Sequence, residues 1–229
     1  MMGLIGEIAL TAALIGTAII LHELAHGYAA WALGDQTARR AGRLSLNPLS
    51  HVDRFGTIIL PGILLIGQML TFGKVLFMFG FAKPVPVDPG YFRFPRQMMA
   101  LVAIAGPLMN FSLAFLSALV LRDPALPPAV VDALGTFITL NLALGMFNLL
   151  PIPPLDGGRI AVGVLPLKLA VAWSRLEGVG IVFVLLLLAV PAFLRYQGVD
   201  FDPLGRTLIP AVDWAHGALM HLAGAPYVG

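Results

Sequence analysis

Cysteine is absent from the 229 residues, and charge is scarce: Asp, Glu, Lys and Arg together make up 11% of the chain. Without cysteine there can be no disulfide, thiol nucleophile or thiolate metal site, which leaves His and carboxylates as the strong ligands available. With so little charge a soluble fold would have to present an apolar surface to water. The 59% hydrophobic content and mean hydropathy of +0.90 therefore assign the chain to a lipid bilayer. The formal charge is only +2 and the basic residues are spread over loops, so the sequence pI near 9.2 reflects membrane-flanking charge and argues against a nucleic-acid partner. A removable leader is not expected either, since the first apolar stretch has no basic start and itself carries candidate metal ligands. No repeat, low-complexity tract or soluble accessory domain interrupts the sequence, which predicts one membrane domain over residues 1–229.

What the chain does have is apolar runs of spanning length, at residues 4–33, 97–121, 130–150 and 179–194. A fifth run, 57–81, is broken by Pro61, Gly62, Gly67, Gly73 and Lys74 and could be a span, a helical hairpin or a re-entrant loop. The loop 34–54 holds Arg39, Arg40, Arg43 and Arg54, and the loop 74–96 holds Lys74, Lys83, Arg93 and Arg96. Both are expected to be cytoplasmic by the positive-inside rule, which favours a re-entrant element between them. The segment 80–95, with Pro84, Pro86 and Pro89, cannot be helical and reads as strand or extended chain, as does 37–46. An exposed extended edge there could hold an unwound peptide. From Pro203 onward, Leu204, Leu208, Val212, Ala215 and Leu219 recur at helical spacing opposite Arg206, Asp213 and His216, predicting a helix on the membrane surface. The expected fold is thus an all-α polytopic membrane protein of four to six transmembrane helices, with a re-entrant or extended strand-like element and a C-terminal interfacial helix.

Within the first apolar run stands His22-Glu23-Leu24-Ala25-His26, an HExxH motif. Histidines four apart on a helix project from one face, so both can ligate one metal ion while Glu23 approaches the attacking water. A carboxylate at mid-bilayer costs about 2.5–3.5 kcal/mol on insertion scales, so Glu23 needs a reason to be there. A catalytic zinc takes three protein ligands, and the candidate third is Asp156. It follows Pro151, Pro153 and Pro154, which end the preceding helix, and precedes Gly157 and Gly158, which let the chain turn. An Asp before two glycines also suits a helix cap, and it is the upstream HExxH that favours the metal reading.

HELAH followed downstream by N-x-x-P-x-P-x-L-D-G resembles the site-2 protease family of intramembrane zinc metalloproteases, and both motifs match without substitution. The similarity extends through 42–61, 83–89 and Ala105-Gly106-Pro107-Leu108-Met109-Asn110. The chain lacks the PDZ insertion and trailing CBS pair of larger relatives and so resembles the compact, single-domain branch. The resemblance implies that His22, His26 and Asp156 bind one Zn2+ per chain, that Glu23 activates water, and that Asn148 binds or polarises the substrate carbonyl. It further implies a multi-pass protein of the cell membrane, with its active site toward the cytoplasmic side, that hydrolyses transmembrane segments of proteins already shortened by another protease. Asn110 is expected to hydrogen-bond between helices, and His51, His216 and His221 to be loop or interfacial residues. The alternative from another class is a metal-binding transporter or sensor; Glu23 argues against it, because transport needs no non-ligand carboxylate beside the first histidine.

Overall fold

The computed structural model describes residues 3–226. Its helices are α1 (Leu4–Ala32), α2 (Thr37–Arg40), α3 (Leu60–Phe72), α4 (Pro95–Val120), α5 (Pro128–Asn148), α6 (Asp156–Val164), α7 (Leu167–Ser174), α8 (Glu177–Tyr196) and α9 (Pro203–Ala223), and no strand occurs among the described residues. Among the described residues five helical stretches are long and apolar enough to cross a membrane: Ile5–Ala32, Arg54–Phe72, Pro95–Val120, Pro128–Asn148 and Glu177–Tyr196. Their outer faces carry exposed side chains such as Leu70, Leu101, Val179 and Leu186, as lipid-facing surfaces do.

Helix α4 is the hub and packs most extensively on α5, α1 and α6. Small side chains make this possible, since the buried Ala103, Gly106, Ala114, Ser117 and Ala118 let neighbouring backbones approach closely. Ala114 and Ala118 of α4 and Leu121 just past its end form a core with Ile138 and Leu142 of α5 and Val212, Leu219 and Met220 of α9. The apolar stripe of α9 is thus directed at the bundle, and Thr207, Leu208 and Ala211 border the end of α5 at Met146–Pro151. The second half of α1, the first half of α4 and the C-terminal end of α5 border one cavity, and the pairings His22–Asn110 and His26–Val102 set α4 antiparallel to α1, with α5 returning in the direction of α1.

The interrupted run at 57–81 is a helix with an extended return. The chain leaves through a π-helical stretch, Arg54–Ile59, capped by Asp53, and continues as α3 to Gly73, whose positive φ of 70° suits a residue without Cβ. It then comes back without regular structure alongside its own outward path. Gln68 donates to Phe77 O (2.9 Å) and accepts from Leu76 N and Phe77 N (2.8 and 3.1 Å). Nearer the start, Phe81 N donates to Gly56 O and Lys83 N to His51 O (3.1 and 2.9 Å). The segment therefore enters and leaves at the same level. The expected extended chain at 80–95 is present up to a 3-10 turn at Pro89–Tyr91. By contrast, 37–46 begins with the short helix α2, because Asp35 caps Thr37 through its N–H and hydroxyl and Ala38 is fully buried.

Candidate metal centre

His22 and His26 lie one turn apart on the buried face of α1. Each ring is held at Nδ1. His22 Nδ1 is 2.6 Å from Asn110 Oδ1, and His26 Nδ1 is 2.7 Å from the carbonyl oxygen of Val102. A carbonyl can only accept, so His26 carries a proton on Nδ1, and in the neutral ring Nε2 keeps the lone pair. Asp156 enters from the far side at the first residue of α6. Its position depends on the loop before it folding back onto the helix start: a Cβ on Gly157 would meet Leu149 O at 2.2 Å, and one on Gly158 would meet Pro153 N at 2.7 Å.

His22 Nε2, His26 Nε2 and Asp156 Oδ2 form a near-equilateral triangle with sides of 3.1, 3.1 and 3.3 Å. A tetrahedral zinc with 2.0–2.1 Å bonds has ligand–ligand edges of about 3.3 Å, so the spacing fits. Asp156 Oδ2 is buried without a hydrogen-bond donor among the described residues, and a converging set of lone pairs is repulsive unless a cation lies between them. Room for the ion is kept by Gly106 on α4, where a Cβ would stand 2.5 Å from His26 Nε2 and 2.6 Å from His22 Nε2. These three residues form a group able to bind a metal ion.

Glu23 lies outside the ligand triangle and lines the same cavity of about 360 Å³, where its Oε2 accepts a hydrogen bond of 2.9 Å from Val85 N. Asn148, the last residue of α5, also borders the cavity; one amide hydrogen goes back to Leu144 O at 2.9 Å. The segment supplying Val85 is tied to the end of α1 by a second carboxylate, since the fully buried Asp35 accepts from Asp88 N at 2.8 Å. Burial pushes the Asp35 carboxyl up, but the Thr37 hydroxyl and the Asp88 and Thr37 N–H groups outweigh it and hold it below the ordinary 3.8.

The five residues expected from sequence, His22, Glu23, His26, Asn148 and Asp156, thus border one cavity. His51 bonds Ser45 O through Nε2, and His216 and His221 belong to α9; none joins the metal-binding group. Asn110 does hydrogen-bond between helices, as expected, yet one of its partners is His22 itself. The residue that sequence reasoning missed is Asn141, fully buried on α5, which accepts from Asn110 Nδ2 at 2.8 Å. Its signal was a polar side chain inside an apolar span. Gly106 and the backbone groups of Val85 and Val102 gave no such signal.

Comparison with known proteins agrees with this geometry. The family model for peptidase family M50 matches residues 123–190. The chain is 40% identical over 180 residues to YwhC of Bacillus subtilis, covering 75% of this chain and 76% of that one. It is 30% identical over 203 residues to Rip2 of Mycolicibacterium smegmatis, covering 84% and 74%, and both relatives carry the name "putative zinc metalloprotease". A 76-residue stretch, 33% of this chain and 22% of the relative, is 36% identical to the zinc metalloprotease MJ0392 of Methanocaldococcus jannaschii. No solved structure matches. With spans for several membrane crossings and a His-His-Asp group suited to zinc, the chain belongs to peptidase family M50, the site-2 proteases, and is a zinc-dependent protease.

Proposed function

We propose that this protease hydrolyses peptide bonds within or near transmembrane segments of other membrane proteins, as in regulated intramembrane proteolysis, and acts as one membrane domain over residues 1–229. The observation that carries this reading is the company the cavity keeps. It lies among helices of spanning length and is bordered by the extended return segment, including Gly80 and Ala82. Backbone without regular structure is tolerated at membrane depth only inside protein or along a watery cavity. Along the return, the N–H groups of Phe81, Lys83 and Val85 are bonded to the enzyme. Gly80 and Ala82 alternate with them in extended chain, so their backbone groups face the other way and suit a strand added by an unwound substrate.

In this reading His22, His26 and Asp156 hold zinc. When bound, zinc supplies Lewis acidity toward the scissile carbonyl and lowers the pKa of the attacking water to about 7. Glu23 takes the proton from that water and passes it to the leaving amine. Its carboxylate is aimed by Val85 N, so the segment that would hold substrate also orients the base. Asn148 has a second amide hydrogen to offer the developing oxyanion. That the substrate has first been shortened by another protease belongs to the same proposal and comes from the family resemblance. A cytoplasmic-side site is supported by Arg39, Arg40 and Arg43, which follow the end of α1 nearer the histidines.

The test is Glu23→Gln in the full chain, reconstituted with a membrane protein bearing a Gly- or Pro-containing transmembrane segment. Cleavage should be abolished while zinc content stays at the wild-type level, because Glu23 acts on water and is not a ligand. Loss of zinc from this variant, or cleavage confined to soluble peptides in the wild type, would overturn the reading.

A further inference from the structure

We infer that Asn110 and Asn141 set the zinc affinity of the centre by fixing which nitrogen of His22 carries the proton, with Asn141 acting through Asn110 as a positioning residue. The relay starts at a backbone carbonyl on α5. Phe137 O can only accept, so the Asn141 atom 2.9 Å from it is Nδ2, and Asn141 Oδ1 is turned the other way. That oxygen also only accepts, so the Asn110 atom 2.8 Å from it is Nδ2. Asn110 must then present Oδ1 to His22, 2.6 Å from Nδ1. Nδ1 therefore carries a proton, and in the neutral ring Nε2 is left with the lone pair that points at His26 and Asp156.

Three helices share this relay, and both amides are fully buried, so water cannot replace a missing partner. Without Asn141, nothing keeps Asn110 from turning its amide by half a rotation. Its NH2 would then face His22 Nδ1, which would have to accept, moving the proton to Nε2 and removing the ligand lone pair. The His26 arm has no such freedom, because its partner is the backbone of Val102. His22 is the adjustable arm of the centre, and its setting is made on α5.

The inference rests on His22 being a zinc ligand, and the experiment keeps the two apart. Full-length protein with 15N-labelled histidine is prepared in micelles as the wild type, Asn141→Leu, Asn141→Asp, Asn110→Asp and His22→Gln. Zinc dissociation constants come from chelator competition, and the imidazole 15N shifts of the zinc-free protein report the tautomer, His22→Gln assigning the His22 signal. Expected are an Nδ1–H His22 in the wild type, and zinc binding weaker by about 10–100-fold in Asn141→Leu with the Nδ1 proton lost from His22. Asn110→Asp, which still accepts from Nδ1–H, and Asn141→Asp, whose neutral carboxyl can donate to Phe137 O and accept from Asn110, should both hold zinc within a few-fold of wild type. Unchanged affinity in Asn141→Leu, or weakened affinity with the Nδ1–H form intact, would overturn the relay. If that variant does not fold, a His22 Nδ1 that carries no proton in the zinc-free wild type overturns it alone. Zinc binding undiminished in His22→Gln would instead remove the ligand assignment beneath it.

Discussion

Gly106→Ala tests the metal centre without touching a ligand. The added methyl would lie 2.5 Å from His26 Nε2 and 2.6 Å from His22 Nε2. Comfortable non-bonded contacts begin at about 3.5 Å, so a displacement of about 1 Å is needed. Neither ring can give it cheaply, since His22 is anchored to Asn110 and His26 to the backbone of α4 itself. The α4 backbone is confined as well, with Val102, Ala103, Pro107 and Asn110 buried around Gly106. Folding should survive: overpacking costs about 1–3 kcal/mol, and replacing a mid-helix Gly by Ala returns about 0.5–1 kcal/mol. Zinc binding is far less tolerant, because ligand distances must hold within about 0.2 Å. Zinc affinity should fall by about 10–100-fold or more, and cleavage at subsaturating zinc with it. The assay is metal content per chain and chelator competition on purified protein, with Gly16→Ala as control, a helical glycine whose Cβ would meet nothing within 4 Å. Wild-type zinc affinity in Gly106→Ala would refute the need for the space that Gly106 keeps open beside the two Nε2 atoms.

Three further outcomes follow from the same geometry. Asn148→Ala should keep its zinc and lose turnover by about 10²–10³-fold if its free amide hydrogen serves the oxyanion, and unchanged kcat would leave it only a helix-end role. Asp35, with its folded pKa held below 3.8, adds stability that is complete above that value and is lost as pH falls through the lower, folded one. Thermal unfolding of the wild type should therefore drop more steeply below about pH 4 than that of Asp35→Asn, whose amide cannot accept all three bonds; parallel pH profiles would refute the clamp. Gln68→Leu should loosen the return segment, raising hydrogen exchange at Leu76 and Phe77 and the KM for a membrane substrate at unchanged zinc content.

The chemistry was legible in the sequence wherever it resided in residue types at fixed local spacing. His22 and His26 are one helical turn apart whatever surrounds them, and the prolines at 151, 153 and 154 force α5 to end before Asp156. The extended path through Pro84 and Pro86 was visible for the same reason. What could not be read depends on how helices cross. Asn110 meets His22 across 88 positions, and Asn141 joins them only because α5 packs on α4 at that level. Helix α2 escaped notice because it is held by a tertiary arrangement, Asp35 at its start and Ala38 buried beneath it, and not by its own four-residue propensity.

The return segment shows how one local feature serves several demands. Pro84 and Pro86 forbid a helix, and each also removes a backbone N–H that would otherwise need a partner in an apolar setting. Of the donors that remain, Val85 N is bonded to Glu23, so any shift of this strand-like chain moves the proposed base with it. Asp88, three residues on, is fastened to Asp35 at the end of the helix that carries Glu23. Base and return segment are thus joined at two points twelve residues apart on the α1 side and three apart on the other. On the proposed function that arrangement would couple substrate placement to base placement: a peptide that pairs in register beside Gly80 and Ala82 would find Glu23 already aimed, and one that displaces the segment would pull Val85 N from the carboxylate before reaction.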